Sequence, residues 1–158
     1  MISLEVSGNV IQVEDHILSF IKEKRQLLFS NFESGGMLLG CIEEGTDILV
    51  INDFTLPLKT DTQTRTRFIR NKNHNKLLRN KWIKSGGTTM YLGEWHTHPE
   101  VDPNYSSQDF RNWNDLLKKS NTFSGYLLFL ISGTHYFKIW VGNRKNKKLK
   151  LVYRGEFD

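Results

Sequence analysis

The run YLLFLIS, Tyr126 to Ser132, constrains the fold of this chain most. It reads as a strand that is apolar throughout, and such a strand belongs inside a covered sheet. Other segments supply neighbours for it. ISLEVSGNVIQVED alternates apolar and polar residues around Ser7-Gly8-Asn9, which predicts two short strands and a turn. ESGGMLLGCIEEGTDILVINDFTLP reads as a hairpin with arms Met37 to Ile42 and Ile48 to Phe54 and a turn near Glu44-Gly45-Thr46. A short Thr-rich strand fits Thr64 to Ile69. TMYLGEW, THYFKIWVGN and KLKLVYRGEF read as further strands. Three helices fall between them. DHILSFIKEKRQLLF carries Ile17, Phe20, Ile21 and Leu27 near helical spacing, with Asp15 as N-cap. NHNKLLRNKWIKSGG has Leu77, Leu78, Trp82 and Ile83 on its expected buried side and stops at Gly86-Gly87. SSQDFRNWNDLLKKS carries a Phe110, Trp113, Leu117 stripe. The order predicts an α/β or α+β layered fold with helices packed on one central sheet. No G-x-G-x-x-G or P-loop is present, which excludes a doubly wound nucleotide binder.

The chain has 158 residues, 38% hydrophobic and 25% charged. That composition suits an ordinary globular protein and one domain over residues 1–158. The net charge is +5 and the isoelectric point about 9.3. The positive charge is diffuse except in RTRFIRNKNHNKLLRNKWIK and RKNKKLK, where solvated faces explain it, so nucleic acid is not the expected partner. The one cysteine, Cys41, lies in the apolar run GMLLGCI. It excludes an internal disulfide and a cysteine-based zinc knuckle, and it reads as a buried thiol. No secretory signal and no membrane-length apolar run is visible, so the expected location is the cytoplasm.

The chemistry concentrates in GEWHTHPEVDPNYSSQD, Gly93 to Asp109. If YLGEWHTH is a strand, His96 and His98 point the same way, with Cβ atoms about 6.5–7 Å apart. Ser106 and Ser107 stand at the start of the next helix, and Asp109 lies in its first turn, where it can project back to the histidines. Two imidazoles, one carboxylate and an open position make a catalytic zinc arrangement, able to acidify a water to a pKa of about 7. Ser106-x-x-Asp109 equally reads as a capping box. A hydrolase also needs a general base. Glu94, Glu100 and Asp102 are local candidates, and Glu94 shares a strand face with both histidines. Glu33, before Gly35-Gly36, is a remote alternative. Spacing does not choose among them.

HTHPEVDPNYSSQD resembles the JAMM motif, H-x-H-P-x6-S-x-x-D, of the MPN/JAB-type metalloproteases, with His96, His98, Pro99, Ser106 and Asp109 filling its positions. About sixty residues upstream, ESGGMLLG looks like the E-x-G-G-x-L-L-G strand that carries the family's glutamate. The resemblance implies a cytidine-deaminase-like α-β-α sandwich with a central mixed sheet. It implies one zinc ion held by His96, His98 and Asp109, with Glu33 as the proton-accepting base and Ser106 steadying the oxyanion. It implies hydrolysis of an isopeptide or peptide bond after the C-terminal residue of ubiquitin or a ubiquitin-like protein. Glu94 stands where many eukaryotic members have an aromatic residue. No cysteine follows Asp109, so a second, structural zinc is not expected.

From about Phe32 to Phe137 the chain is similar to a bacterial branch, the JAB-type deconjugases of antiphage CBASS operons. The branch implies that the substrate is the C-terminal tail of a CD-NTase, a cyclic oligonucleotide synthase, joined to a target by an E1/E2-like ligase. The alternatives are processing of a small ubiquitin-like or sulfur-carrier protein, a non-catalytic MPN scaffold, and a basic protein associated with nucleic acid. A nucleobase deaminase would need P-C-x-x-C ligands, which a lone Cys41 excludes. Among the neighbours, His74 reads as a satisfied structural histidine, and Trp95 and Trp113 as core or groove wall. Glu94 remains open between a partner for a histidine N–H and a substrate contact. Thr60 to Phe68 and Glu100 to Tyr105 are expected to line the groove for an extended tail.

Overall fold

The computed structural model describes residues 1–158. Strands β1 (Ile2–Val6) and β2 (Asn9–Val13) form an antiparallel hairpin, followed by helix α1 (Asp15–Glu23). Next come β3 (Gly35–Ile42), β4 (Leu49–Phe54), the short β5 (Thr62–Thr64) and β6 (Arg67–Ile69), and α2 (His74–Lys84). The chain continues through β7 (Met90–Thr97), α3 (Ser107–Lys119), β8 (Tyr126–Ser132), β9 (Tyr136–Asn143) and β10 (Leu149–Glu156). Eight strands make one mixed sheet in the order β1-β2-β4-β3-β7-β8-β9-β10. The β2/β4 and β7/β8 pairs are parallel, and α3 is the crossover of the second. β5 and β6 form a separate two-stranded hairpin.

Alternation sorts the side chains of the inner strands to two faces. Leu38, Ile51, Leu92, Trp95, Leu128 and Leu130 pack with Ile17 and Ile21 of α1. Met37, Leu39, Tyr91, Phe129 and Ile131 pack under Trp113 and Leu117 of α3, with Leu78 of α2 at the margin. This is the expected α/β sandwich, with α1 on one side of the sheet and α2 and α3 on the other. Residues 127–132 of β8 are buried whichever way they point, as the apolar run requires. No helix is long and apolar enough to cross a membrane.

Several local expectations need correction. α1 ends at Glu23 rather than running to Phe29, and Glu14, not Asp15, is its N-cap residue. After Ile21 the next inward positions are Lys24 and Arg25, so nothing apolar remains to hold a further turn on the sheet. Leu27, expected on the buried stripe, is 60% exposed. On α2 only His74 is buried; Trp82 and Ile83 are exposed. Phe110 is likewise exposed and lies against Tyr105. The single strand expected over 64–69 is a hairpin turning at Arg65-Thr66.

A bulge in β7 has consequences for the site. Leu38 pairs with Gly93 and Leu39 with Tyr91, which leaves Leu92 as the extra residue. Gly93 has φ +149°, and a Cβ on it would lie 1.7 Å from the Leu128 carbonyl oxygen. Glycine is required on both counts. The bulge rephases the strand, so Tyr91 and Glu94, three residues apart, meet on one face.

Candidate metal centre and its cleft

The end of β7 is held from several sides. The Thr97 N–H donates to the Ser34 carbonyl, the Ser34 N–H donates to Thr97 Oγ1, and the His98 N–H donates to the Ser132 carbonyl, all at 2.9 Å. These bonds fix the backbone on both sides of the two histidines. His96 and His98 converge, with Nε2 atoms 3.0 Å apart. The loop after Pro99 is pinned by the Thr134 N–H on the Glu100 carbonyl and by the His135 and Tyr136 N–H groups on the Val101 carbonyl. It delivers Ser106 to the N-cap of α3. There the capping box forms: Asp109 N–H donates to Ser106 Oγ at 3.0 Å, and Ser106 N–H donates to Asp109 Oδ2 at 2.8 Å. The box turns the Asp109 carboxylate toward the histidines, 3.4 Å from His96 Nε2 and 3.2 Å from His98 Nε2. The two readings of Ser106-x-x-Asp109 are therefore compatible.

Glu33 arrives from the other side. Gly35 pairs with His96 in the β3/β7 ladder, so the residues before β3 run past the histidines. The β5/β6 hairpin fixes the Glu33 backbone: its N–H donates to the Thr64 carbonyl at 2.7 Å, and its carbonyl accepts from Gln63 Nε2 at 3.0 Å. The Phe68 ring lies where a Cβ on Gly35 would be, 2.6 Å away. A Glu33 oxygen and a nitrogen of each histidine lie within 4.8 Å of one another, and all three residues are buried.

The donor set fits a divalent cation that favours nitrogen and oxygen. Tetrahedral zinc with bonds of about 2.0–2.1 Å separates its ligand atoms by about 3.3 Å. The spacings among His96, His98 and Asp109 are 3.0, 3.4 and 3.2 Å. The electrostatics agree. Burial pushes Glu33 up to about 7, with Asp109 and Glu100 adding to it and His98 opposing. His98 is held at about 9: burial works against its charge, but the hydrogen bond to Asp109 and the charges of Glu33 and Glu100 prevail. Burial also opposes ionisation of Asp109, yet hydrogen bonds from both histidines hold its carboxyl well below the usual range. Glu33, Glu100 and Asp109 around the two histidines give the pocket negative charge that a cation would satisfy.

The remaining candidates separate by their partners. Glu100 Oε1 contacts His98 Nδ1 at 2.7 Å, where it can orient the ring. Asp102 faces away, paired with Lys138 and Arg154. Glu94 shares the face of His96 but touches neither histidine; it bonds to Arg70 Nε at 2.6 Å and to the Tyr91 hydroxyl at 2.5 Å. Burial and the Glu94 charge push the Tyr91 phenol up, so it stays a donor. Arg70, 24 residues upstream, is the partner that sequence reasoning did not supply. His74 is fully buried and satisfied, with Nδ1 2.7 Å from Thr55 Oγ1 and Nε2 2.8 Å from Asp61. Thr55 Oγ1 also accepts from Met37 N–H, so this buried trio braces β3 rather than presenting a nucleophile. Trp95 and Trp113 are core.

The cluster opens into a cleft of about 280 Å³, with Glu33, His98, Ser106 and Asp109 on its floor. Thr66, Arg67 and Phe68 form one wall, and Pro99, Glu100 and Gln108 the other. Of the two segments expected to line a groove, 66–68 and Glu100 do so. Larger cavities lie between α2 and α3, but they contain none of the converging donors.

The family profile for prokaryotic homologs of the JAB domain matches residues 14–148. The chain belongs to this JAB-domain family. The matched span of the JAB domain contains every residue of the cluster and of the cleft. The chain's relatives include several proteins named CD-NTase/cGAS isopeptidase. The one from Vibrio cholerae is 32% identical over 149 residues, 94% of this chain and 90% of the relative. The Escherichia coli protein is 30% identical over 154 residues, 95% and 94%. The Pseudomonas aeruginosa protein is 40% identical over 103 residues, 65% of this chain and 64% of its own length. A solution structure of a Desulfitobacterium hafniense protein superposes with a TM-score of 0.59 at 18% identity, covering 89% of this chain and 88% of that one, a likeness of fold.

Proposed function

We propose that this JAB-family chain is a zinc-dependent isopeptidase that hydrolyses the bond after the C-terminal residue of a conjugated protein. The substrate class is a CD-NTase, or a ubiquitin-like protein, joined to a target by an E1/E2-like ligase. The setting is the cytoplasm of a bacterium carrying a CBASS antiphage operon. The observation that carries the reading is the convergence of His96, His98 and Asp109 beside a buried Glu33 at the floor of an open cleft. The relatives bearing the isopeptidase name support the substrate class.

In this reading His96, His98 and Asp109 hold one zinc ion. Bound there, zinc would polarise the scissile carbonyl and acidify the attacking water. Glu33 takes the proton from that water and passes it to the leaving amine. Burial lifts its carboxyl toward neutrality, the range in which one group can both accept and release a proton. Ser106 Oγ accepts from Asp109 N–H, which leaves its own hydrogen free to donate to a developing oxyanion. Glu100 steadies the His98 ring. Thr66 to Phe68 form the wall along which the extended tail lies.

The test is cleavage of a conjugate with and without chelator, beside Glu33→Gln. Chelation should abolish cleavage and added zinc restore it. Glu33→Gln should keep one zinc and lose about 10²–10⁴ in rate. A zinc-loaded Glu33→Gln protein as fast as wild type would remove Glu33 from the chemistry. A wild-type protein that takes up no zinc near neutral pH would end the metal mechanism.

A further inference from the structure

A groove lies on the α2/α3 side of the sheet, at the opposite end of α3 from Asp109. The ten residues from Asp109 to Lys119 put about 15 Å of helix between the two sites. Two concavities of about 570 and 320 Å³ share Asn75, Leu78, Tyr91 and Asn121 and so form one groove between α2 and the α3–β8 connection. Those sizes suit small-ligand sites. One end is cationic, with Arg70, Lys72 and Lys119 on its wall. The other is aromatic, with Trp82 46% and Phe123 84% exposed. No Asp or Glu lines either part. The carboxylate beneath, Glu94, is buried and engaged by Arg70 and Tyr91.

Apart from Arg70, which reaches down to Glu94, the groove's cations face no acid on its wall. Lys72 and Lys119 are exposed on that wall, and the exposed side-chain amides of Asn75 and Asn121 stand beside them, free to meet a ligand. α2 also begins beside this wall with no acid in its first turn. Converging cations ask for an anion. Two exposed aromatic side chains, with amides between them and the cations, suit a flat polar ring system on the same molecule.

We infer that this groove binds a nucleoside phosphate. Arg70, Lys72 and Lys119 take the phosphate oxygens, Trp82 and Phe123 stack the base, and Asn75 and Asn121 meet the polar edges between. The site is separate from the metal centre, and its occupancy does not depend on the isopeptidase reading.

The test is titration of the intact protein with ATP, adenosine, inorganic phosphate and a hexaglutamate peptide, followed by calorimetry and by amide NMR shifts. ATP should bind, more weakly as salt rises, and should shift amides at 70–79 and 119–123 rather than 96–109. The double variant Lys72→Ala/Lys119→Ala should weaken ATP and phosphate alike, by about tenfold or more. Trp82→Ala and Phe123→Ala should each weaken ATP by about tenfold and leave phosphate unchanged. All four positions are exposed, so the fold is retained, which circular dichroism checks. Absence of ATP binding at millimolar concentration overturns the inference. So do shifts confined to the cleft, or hexaglutamate binding that exceeds ATP and ignores Trp82 and Phe123.

Discussion

Glu33, just before β3, and Glu94, on the adjacent β7, are both buried acids, and their partners separate them. Glu94 meets a guanidinium and a phenol, while Glu33 meets only the histidine cluster and other acids. Strand alternation in the sequence favours Glu94, because Arg70 and the bulge that brings Tyr91 to its side have no local signature. His96, His98 and Asp109 were legible because strand alternation and helix capping are short-range rules. Glu33 became legible only through the motif that contains it. The cluster also predicts a pH dependence of stability when no ion is bound. His98 is raised from 6.5 to about 9 in the folded chain, so its stabilising contribution is complete below pH 6.5 and is lost as pH rises through 9. Glu33, raised from 4.5 to about 7, has the same sign, with its contribution lost between those values. With a chelator present, the melting temperature should fall between pH 6.5 and 9.5. Zinc should flatten the curve by taking the place of the proton. A chelated protein with a level melting temperature over that range would contradict the electrostatics described.

At the scale of elements, β8 and β3 could be read from their composition, because burial on both faces leaves little room for polar residues. The end of α1 could not. Leu27 to Phe29 continue an apolar count but lie beyond Lys24 and Arg25, and tertiary packing stops the helix before them. Leu28→Ser should therefore change stability by no more than about 0.5 kcal/mol, as an exposed position does; a loss above 2 kcal/mol in urea would restore Leu28 to the core. The β7 bulge was equally hidden, since it depends on the register with β3. Gly93→Ala should cost more than about 3 kcal/mol, from the close Leu128 carbonyl and the backbone angle together. Urea denaturation measures it, and a variant within 1 kcal/mol of wild type would mean that β7 and β8 separate easily.

Across the whole molecule, the layered class followed from the sequence, but the strand order did not, because β2/β4 and β7/β8 join segments distant in the chain. Trp113 ties these layers to the candidate metal site. It is 1% exposed, stacks on Phe129 at 4.5 Å and has its ring centre 6.2 Å from that of His96. Trp113→Ala should cost about 3–5 kcal/mol in denaturation, and weaken zinc retention because α3 carries Asp109. Zinc affinity unchanged in that variant would show that α3 is held without it. The Asp109 oxygen facing His98 is also the one that accepts the Ser106 N–H. Ion loading and the nucleation of α3 therefore share one atom, and each must bias the other. The amides of Ser106 to Phe110 become an occupancy gauge: their hydrogen exchange should slow when zinc is added and quicken on chelation, with no substrate in the tube.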